Sequence, residues 1–337
     1  MSIFTVTLPS DPGLREAVEQ AAQRGGLRGE PRAELRGGSR AEEVEFVEWD
    51  LDGPPPRSRA DIVVPPYWGG VKRLAAVSQL ETLLVQWQSI GFNWVDRFLP
   101  EGVPFANAAT VHESSTAELA VGLAIAAQRG IPEFVRAADE HRWQQRRYPS
   151  LADRRVLLVG YGGVAKQIEA RLAGFEVEIT RIARTARQDR DALGNPVEVR
   201  GLDDLHACLA EAEVVMLAIP LNDSTHGLID AAALAAMPDG ALLVNVARGP
   251  VVDTDALMAE LNAGRLRAAI DVVDPEPLPE DHPLWSCPGI LISPHVGGDS
   301  TAMQPRIAAL IHRQIAHLRA GEQPENLVLG IEGGGGR

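Results

Sequence analysis

The chain has 337 residues, of which 45% are hydrophobic and 23% charged, so it is long enough for two globular domains and too apolar to be disordered. Its 32 basic and 46 acidic residues leave a formal net charge of −14, which disfavours nucleic acid and anionic membrane as partners. Two cysteines without CxxC spacing disfavour a disulfide framework and a thiolate metal site, so no metal is expected. With no signal peptide and no membrane-spanning apolar run recognisable, we expect a cytoplasmic protein.

Short apolar runs alternate with amphipathic segments along the chain. The strands predicted from them are Ile3–Leu8, Val44–Trp49, Ile62–Val64, Leu83–Gln86, Val156–Val159, Val177–Ile182, Val214–Ile219, Leu242–Val246, Ala269–Val273 and Ile290–Ile292. The helices predicted between and after them are Leu14–Gln23, 114–128, Val164–Ala173, Asp255–Ala263 and Thr301–Ala320. This alternation predicts an α/β fold with parallel sheets covered by helices on both faces. The strongly apolar helix at 114–128 is expected to be buried, either inside a domain or against another subunit.

A glycine-rich turn lies between a predicted strand and a predicted helix. Residues 156–165 read VLLVGYGGVA, and the turn itself comprises Gly160, Tyr161, Gly162, Gly163, Val164 and Ala165. This G-x-G-x-x-A pattern is typical of dinucleotide-binding turns, in which the second glycine lets the backbone approach a pyrophosphate. The helix that follows offers unpaired N–H groups to the phosphates. Glycines also make ordinary strand–helix turns, but the correct flanks favour the cofactor interpretation.

Arginines stand where such a turn usually has an acidic partner. The segment 174–187 reads GFEVEITRIARTAR, and Arg181 or Arg184 falls at the end of the strand where an Asp or Glu would hold a ribose 2′-hydroxyl. An arginine there can instead pair with a 2′-phosphate, which favours NADP over NAD. The alternative is that both arginines are solvated, and the register of the strand end does not choose between them.

Three polar residues follow predicted strands in the last third of the chain, at the sheet edge where α/β proteins bind ligands: Arg248, Glu276 and His295. Arg248 is suited to clamp a carboxylate, and His295 to exchange a proton near neutral pH. Glu276 can orient the imidazole and favour its protonated form. Each has a simpler interpretation as a surface charge, a loop residue or a hydrogen-bonded histidine, and His282 is a rival partner for Glu276.

Four motifs, VGYGGVA, NVARGPVVD, DVVDPEPL followed by DHPLW, and SPHVGG, occur in the order and spacing of the D-isomer-specific 2-hydroxyacid dehydrogenases. The segments VQWQSIGFNWV and STAELAVGLAIAAQ also resemble that family, so the resemblance covers nearly the whole chain. It implies Arg248 as carboxylate binder, Glu276 as partner of the histidine and His295 as acid/base. The other site residues that it implies are Asp271 for the nicotinamide carboxamide, Pro220, Thr225 and Ala247 along the cofactor cleft, and backbone N–H groups at Ser89, Ile90 and Gly91 for the substrate carboxylate.

The resemblance also implies two Rossmann-like, doubly wound domains and a homodimer. The expected substrate domain comprises residues 1–103 and 295–332, the dinucleotide-binding domain is 104–294, and 333–337 form a flexible tail. The missing acid after the second strand points to the branch of NADP-using glyoxylate/hydroxypyruvate reductases. We therefore expect an oxidoreductase that transfers a hydride between NADP(H) and a small 2-keto or D-2-hydroxy acid. Alternatives are an NAD-dependent enzyme of the family and a dinucleotide-sensing scaffold with weak catalysis.

Overall fold

The computed structural model of the protein describes residues 3–24 and 44–330. The chain divides into two compact units: Met1–His112 together with Thr301–Arg337, and Glu113–Ser300. The first unit is therefore built from two segments that flank the second in sequence. The expected flexible tail, residues 333–337, lies outside the described residues. The assignment of the units as substrate and cofactor domains, with boundaries at 103/104 and 294/295, remains a prediction.

The regular elements, in chain order, are as follows. The strands are β1 (Phe4–Leu8), β2 (Val44–Glu48), β3 (Ile62–Val63), β4 (Leu84–Gln86), β5 (Phe105–Ala106), β6 (Arg155–Val159), β7 (Glu178–Ile182), β8 (Arg187–Arg190), β9 (Pro196–Val199), β10 (Val214–Leu217), β11 (Leu242–Asn245), β12 (Arg267–Ile270), β13 (Ile290–Ile292) and β14 (Leu327–Leu329). The α-helices are α1 (Pro12–Arg24), α2 (Gly70–Arg73), α3 (Glu113–Arg129), α4 (Ile131–Asp139), α5 (Gly163–Leu172), α6 (Leu205–Glu211), α7 (Ala231–Ala236), α8 (Thr254–Asn262) and α9 (Met303–Ala320).

The first unit contains a six-stranded sheet in the order β14-β5-β4-β3-β1-β2. Its strands pair in parallel except for β14, which runs antiparallel to β5. Helices α1 and α9 pack against each other, and their apolar residues join those of β1, β3 and β4 in one core. A second cluster, which includes Trp49, Trp87 and Phe105, forms a separate part of the core. The sheet thus has apolar packing on both faces, as a mostly parallel sheet requires.

The second unit contains a six-stranded, entirely parallel sheet in the order β13-β12-β11-β10-β6-β7. All four residues of both β10 and β11 are buried, because the sheet has an apolar cluster on either side. The chain runs from β6 outward to β7 and then returns to β10 on the other side of β6. This reversal creates a topological switch point between β6 and β10, where open α/β sheets bind ligands.

The apolar helix expected at 114–128 is α3, which packs against α5. Its residues Ala117, Ala120 and Ala124 are fully buried in one apolar cluster of the second unit. Packing inside that unit therefore accounts for much of its apolar character. The predicted fold class, α/β with two Rossmann-like parallel-sheet domains, is confirmed by these two sheets.

Four strands were not predicted: β5, β14, β8 and β9. The first two are short, and β8 with the sequence RQDR has no apolar pattern at all. Strands β8 and β9 form an antiparallel hairpin, with Arg187 opposite Val199. The predicted strand Ala269–Val273 was also placed too late, since β12 is Arg267–Ile270 and ends immediately before Asp271.

Gly249 lies at a close approach between the loop after β11 and the loop after β12. An added Cβ there would lie 1.9 Å from the carbonyl oxygen of Val273. Only glycine therefore lets the loop after β11 lie against the loop after β12. This approach brings the loop that contains Arg248 close to the loop that contains Glu276, and both are predicted site residues.

We expect Gly249→Ala to destabilise the protein, because overpacking against rigid backbone typically costs about 1–3 kcal/mol. The measurement is the free energy of unfolding in urea. Gly174→Ala is the matched control, since a Cβ at Gly174 would meet no atom within 4 Å. Equal unfolding free energies for the two variants would show that the loops can separate without cost.

Candidate active site

The carboxylate of Asp271 organises the loop that carries His295. Asp271 is the first residue after β12 and is buried at 3% exposure. Its Oδ1 accepts hydrogen bonds from Ser293 Oγ at 2.5 Å and from the backbone N of Val296 at 3.0 Å, and its Oδ2 accepts one from Gly297 N at 2.8 Å. The loop is therefore bonded to the end of a central strand on both sides of His295.

His295 has a backbone conformation that few non-glycine residues adopt. Its φ is 55°, in the left-handed region. Its backbone N–H donates to the carbonyl of Asp271 at 2.7 Å and also reaches that of Ser293 at 3.1 Å. A strained conformation persists only where its surroundings determine it, and here the bonds to Asp271 do so. The direction of the imidazole is thereby set by β12.

Glu276 and His295 form a hydrogen-bonded pair. Nδ1 of His295 lies 2.5 Å from Oε1 of Glu276, and the two side chains are 33% and 38% exposed. A carboxylate on Nδ1 fixes the orientation of the ring and the tautomer of the imidazole. The rival, His282, accepts a hydrogen bond from Leu284 N at its own Nδ1, 3.2 Å away. His282 thus caps a short helical turn, while the predicted Glu276–His295 pairing is present.

Arg248 is placed by the turn that follows β11. The buried Asn245, the last residue of that strand, accepts from Ala247 N at 3.0 Å and donates to the carbonyl of Arg248 at 3.1 Å. The guanidinium of Arg248 donates to the carbonyl of Ala247 at 2.7 Å and is partly buried. Sequence reasoning did not identify Asn245, although one amide at the end of the run LLVN was a detectable signal.

The charges of His295 and Arg248 both act on Glu276. Burial raises the pKa of this carboxyl, but the hydrogen bond and charge of His295, with smaller contributions from a backbone hydrogen bond of Val273 and from the charge of Arg248, outweigh burial and lower its pKa. Glu276 is therefore ionised at neutral pH. Arg248 thus acts on Glu276 in the same direction as His295, and all three residues lie in loops that follow strands of the second sheet.

The glycine turn has the geometry that a dinucleotide requires. Gly160 has a φ of 89°, and a Cβ there would lie 2.5 Å from the carbonyl oxygen of Ala218 after β10. A Cβ at Gly162 would meet no atom within 4 Å, so the backbone is open to a ligand on that side. Gly162 caps α5 without a side-chain hydrogen bond, and the first turn of this helix has no acidic residue. Its N–H groups can therefore bind phosphate.

Of the remaining turn residues, Tyr161 and Ala165 are buried, Val164 is partly buried and Gly163 is exposed. Ala165 is fully buried against the sheet, whereas Gly163 and Val164 lie in the first turn of α5. Tyr161 is buried, and its hydroxyl donates to Oε2 of Glu169 at 2.6 Å. Burial first, and then the hydrogen bond to Glu169, raise the pKa of Tyr161, so its hydroxyl stays protonated.

The two candidate arginines have different surroundings. Arg181 pairs with both carboxylate oxygens of the buried Glu169, its Nε lying 2.9 Å from Oε2, and its guanidinium carbon lies 5.9 Å from the Tyr161 ring centroid. Arg181 is thus part of the support beneath the glycine turn. Arg184 follows β7, is exposed, and has no ion pair with any residue in 3–24 or 44–330.

The other expected cofactor residues lie at the ends of β10 and β11. Pro220 is exposed, and its carbonyl accepts the hydroxyl of Thr225 at 2.7 Å. Thr225 is 2% exposed and also accepts from Asn222 N at 2.9 Å, so its hydroxyl closes the loop that begins at Pro220. Ala247 is buried beside Arg248. Pro220 and Thr225 thus follow β10, which borders the switch point, whereas Ala247 follows the next strand, β11.

In the first unit, Ser89, Ile90 and Gly91 follow β4. Their carbonyls accept hydrogen bonds from Ala108 N at 3.0 Å, Asn107 Nδ2 at 2.9 Å and Trp87 Nε1 at 3.0 Å, respectively. None of their backbone N–H groups donates a hydrogen bond within the described ranges. This loop therefore has fixed carbonyls and N–H groups that remain for an anion.

Comparison with known proteins identifies the family. The family model for the NAD-binding domain of D-isomer specific 2-hydroxyacid dehydrogenases matches residues 121–297, which is more than half of the chain. The chain belongs to the D-isomer specific 2-hydroxyacid dehydrogenase family. It is therefore an oxidoreductase with an NAD(P)-binding domain, and the predicted family resemblance is confirmed.

Individual relatives agree with this dehydrogenase assignment. A glyoxylate reductase of Thermofilum pendens is 33% identical over 251 residues, which cover 71% of this chain and 73% of the relative. A glyoxylate reductase of Korarchaeum cryptofilum is 30% identical over 255 residues, covering 73% and 75%. The crystal structure of a D-isomer specific 2-hydroxyacid dehydrogenase from Xanthobacter autotrophicus Py2, in complex with NADPH and MES, is 27% identical with a TM-score of 0.74, covering 98% of this chain and 99% of that one.

Two further properties concern the described part of this dehydrogenase. None of its helices has the length and apolar character needed to cross a membrane. No cluster of three or more His, Cys, Asp or Glu residues with metal-binding geometry occurs within the same residues.

Because its pKa is lowered in the folded protein, Glu276 should stabilise this dehydrogenase above the ordinary value of 4.5, and that contribution should disappear as the pH falls through the lowered value. We expect the free energy of unfolding of the wild type to exceed that of Glu276→Gln by at most about 1 kcal/mol near pH 6, since Glu276 and His295 are both partly exposed. The difference should shrink below pH 4.5 in urea unfolding. Glu118→Gln, an exposed change on α3, is the control. A difference independent of pH would contradict this interpretation.

Proposed function

We propose that this dehydrogenase interconverts small 2-keto acids, such as glyoxylate or hydroxypyruvate, with D-2-hydroxy acids and uses NADP(H) as its preferred cofactor. The observation that carries the proposal is the Glu276–His295 pair, electrostatically coupled to Arg248 and held at the carboxyl edge of the second sheet. The two glyoxylate reductases among the relatives support the substrate class.

At the carboxyl edge of the second sheet, one residue binds the substrate carboxylate and a pair of residues transfers the proton. Arg248 fixes the substrate carboxylate through its planar fork and polarises the carbonyl. His295, with Glu276 on Nδ1, exchanges a proton with the substrate oxygen through Nε2. Separately, in the first unit, the N–H groups of Ser89, Ile90 and Gly91 after β4 are the donors that we propose for a carboxylate. NAD(P)H, when bound, supplies the hydride.

The residues proposed to bind the cofactor also lie after the carboxyl ends of strands in the second sheet. The glycine turn and the start of α5 bind the pyrophosphate, while Pro220, Thr225 and Ala247 line the cleft at the switch point. Asp271 binds the nicotinamide carboxamide in addition to holding the His295 loop. A carboxylate has about four lone-pair sites, and the loop uses three of them, so one further donor can be accommodated.

Arg184 is the arginine that supports a preference for NADP(H). It is exposed directly after β7, where an acid would otherwise hold the ribose, whereas Arg181 is already paired with Glu169. A guanidinium there favours a 2′-phosphate over a 2′-hydroxyl. The Xanthobacter relative that binds NADPH supports the same preference.

Location in the cytoplasm and assembly as a homodimer stay predictions. The exposed apolar side chains of Ile131, Phe134 and Val135 on α4 support an interface on the second unit.

A panel of 2-keto acids, each assayed with NADPH and with NADH, tests the activity directly. We expect the highest kcat/KM for glyoxylate or hydroxypyruvate with NADPH. In the same assay His295→Ala should lower kcat about 100-fold or more, because general acid–base catalysis contributes at least that factor. Cofactor binding without turnover on any acid would instead indicate a sensing scaffold, and a fall in kcat of less than tenfold would exclude His295 as the proton donor.

Substitutions of Arg184 and Arg181 should have different effects on KM for NADPH and NADH in steady-state kinetics. Arg184→Ser should raise KM for NADPH about tenfold or more and leave KM for NADH within about twofold, because a hydrogen bond to a charged group contributes about 1.5–3 kcal/mol. Arg181→Ala is the matched control, which should weaken both cofactors together by loosening the Tyr161–Glu169 support. Equal effects of Arg184→Ser on KM for NADPH and for NADH would show that Arg184 is a solvated surface residue that does not bind the 2′-phosphate.

A further inference from the structure

The β8–β9 hairpin is attached to the glycine turn by two cationic side chains. Arg187, at the start of β8, donates from Nη2 to the carbonyl of Tyr161 at 3.0 Å. Lys166, in the second turn of α5, places Nζ 5.5 Å from the centroid of the Tyr161 ring. The hairpin also continues the sheet edge, because Ala183 N donates to the carbonyl of Arg200 at 3.0 Å. The hairpin thus lies beside the end of β7, where the ribose is expected.

Asp189 lies between these two cations. Its Oδ1 is 2.8 Å from Nζ of Lys166 and accepts from Arg190 N at 2.7 Å. Its Oδ2 is 2.8 Å from Nη2 and 3.0 Å from Nε of Arg187. The carboxylate is 20% exposed, compared with 29% for Lys166 and 40% for Arg187. One lysine, one arginine fork and one backbone N–H around two oxygens are the donors that commonly bind a phosphate.

We propose that Asp189 is an internal anion that occupies the Lys166–Arg187 cation pair and competes with the 2′-phosphate of NADP(H), and so sets how strongly this enzyme discriminates NADP(H) from NAD(H). The competition has two physical sources. Asp189 uses the donors that a phosphate would use, and its charge repels a dianion at the same place. NAD(H) lacks the phosphate and is indifferent to both effects. The inference rests on the cofactor site of the proposed function.

The negative charge of Asp189 does not change across the physiological pH range. The hydrogen bond from Lys166 is the largest cause that lowers the pKa of Asp189, to about 2, with Arg187 and Arg190 N acting in the same direction. The carboxylate of Asp189 is therefore ionised at neutral pH. Removing its charge requires a substitution, which makes the proposal direct to test.

The test uses full-length protein and two nucleotide probes, 2′,5′-ADP and 5′-ADP, measured by titration calorimetry. Asp189→Asn retains the shape of the side chain and removes its charge. We expect it to lower the Kd of 2′,5′-ADP about tenfold, equivalent to about 1.4 kcal/mol, and to leave the Kd of 5′-ADP within about twofold. KM for NADPH should fall in parallel, while KM for NADH stays unchanged.

Glu198→Gln is the matched control, because it removes one negative charge from β9, opposite Gln188 and away from the cation pair. It should leave both Kd values within about twofold. Thermal unfolding verifies that each variant is folded, and Asp189→Ser replaces Asp189→Asn if the latter is not. An unchanged or higher Kd of 2′,5′-ADP in the folded variant overturns the proposal and leaves Asp189 as a residue that only orients the cations.

The experiment distinguishes failure of the role proposed for Asp189 from failure of the proposed preference for NADP(H). If wild type prefers NADH and Asp189→Asn gains affinity for 2′,5′-ADP, the preference is wrong and the role of Asp189 stands. If wild type prefers NADPH and the variant shows no gain, the role of Asp189 is wrong and the preference stands.

Discussion

The carboxylate of Asp271 is the constraint on which the candidate active site depends. It extends from the end of β12, a strand in the interior of a parallel sheet, and accepts three hydrogen bonds from the loop that carries His295. A loop of this length would otherwise populate many conformations, and a left-handed histidine would be among the less favourable ones. Because the bonds come from both sides of His295, the sheet itself determines where the imidazole lies, which is the preorganisation that proton transfer requires.

The same principle extends to the other two residues of the site. Asn245 ends β11 and closes the turn around Arg248, while Gly249 lets that turn lie against the backbone of Val273. The charge of Arg248 then contributes to lowering the pKa of Glu276. Each functional side chain is thus held by a polar or small residue at a neighbouring strand end. The precision of the site comes from the parallel sheet, whose strands all end at one edge.

Much of this was predictable from the sequence. Buried parallel strands are continuous apolar runs, so β6, β10 and β11 were found within two residues, and the glycine turn was identified from its flanks. The supporting residues were harder to identify. Ser293 and Asn245 are ordinary polar residues, and only the backbone path shows that their hydrogen bonds close the turns. The β8–β9 hairpin was missed because strands without a buried face lack an apolar period.

The arginines show a second limit of sequence patterns. Arg181, Arg184 and Arg187 lie within seven residues and are chemically identical, yet each has a different role in the fold. The buried carboxylate of Glu169 requires a positive partner, and Arg181 is the one that reaches it from β7. Arg187 bonds the turn carbonyl and Asp189, which leaves Arg184 exposed. Their partners, on α5 and the hairpin, are not recognisable from the spacing of the arginines.

This arrangement separates affinity for a dinucleotide from the choice between two dinucleotides. The pyrophosphate is common to NAD and NADP, and the backbone N–H groups that we propose to bind it at the glycine turn carry no net charge. In a chain with a net charge of −14, such donors act at short range and do not depend on the overall field. The 2′-phosphate is the one group that differs, so discrimination has to come from charged side chains near the ribose. In this chain those charges are concentrated between Arg184 and Asp189, next to a turn that Arg187 contacts at the Tyr161 carbonyl and that Glu169 supports from α5. On the proposed assignment, selectivity therefore depends on that segment and not on the carboxyl edge of the sheet that carries His295.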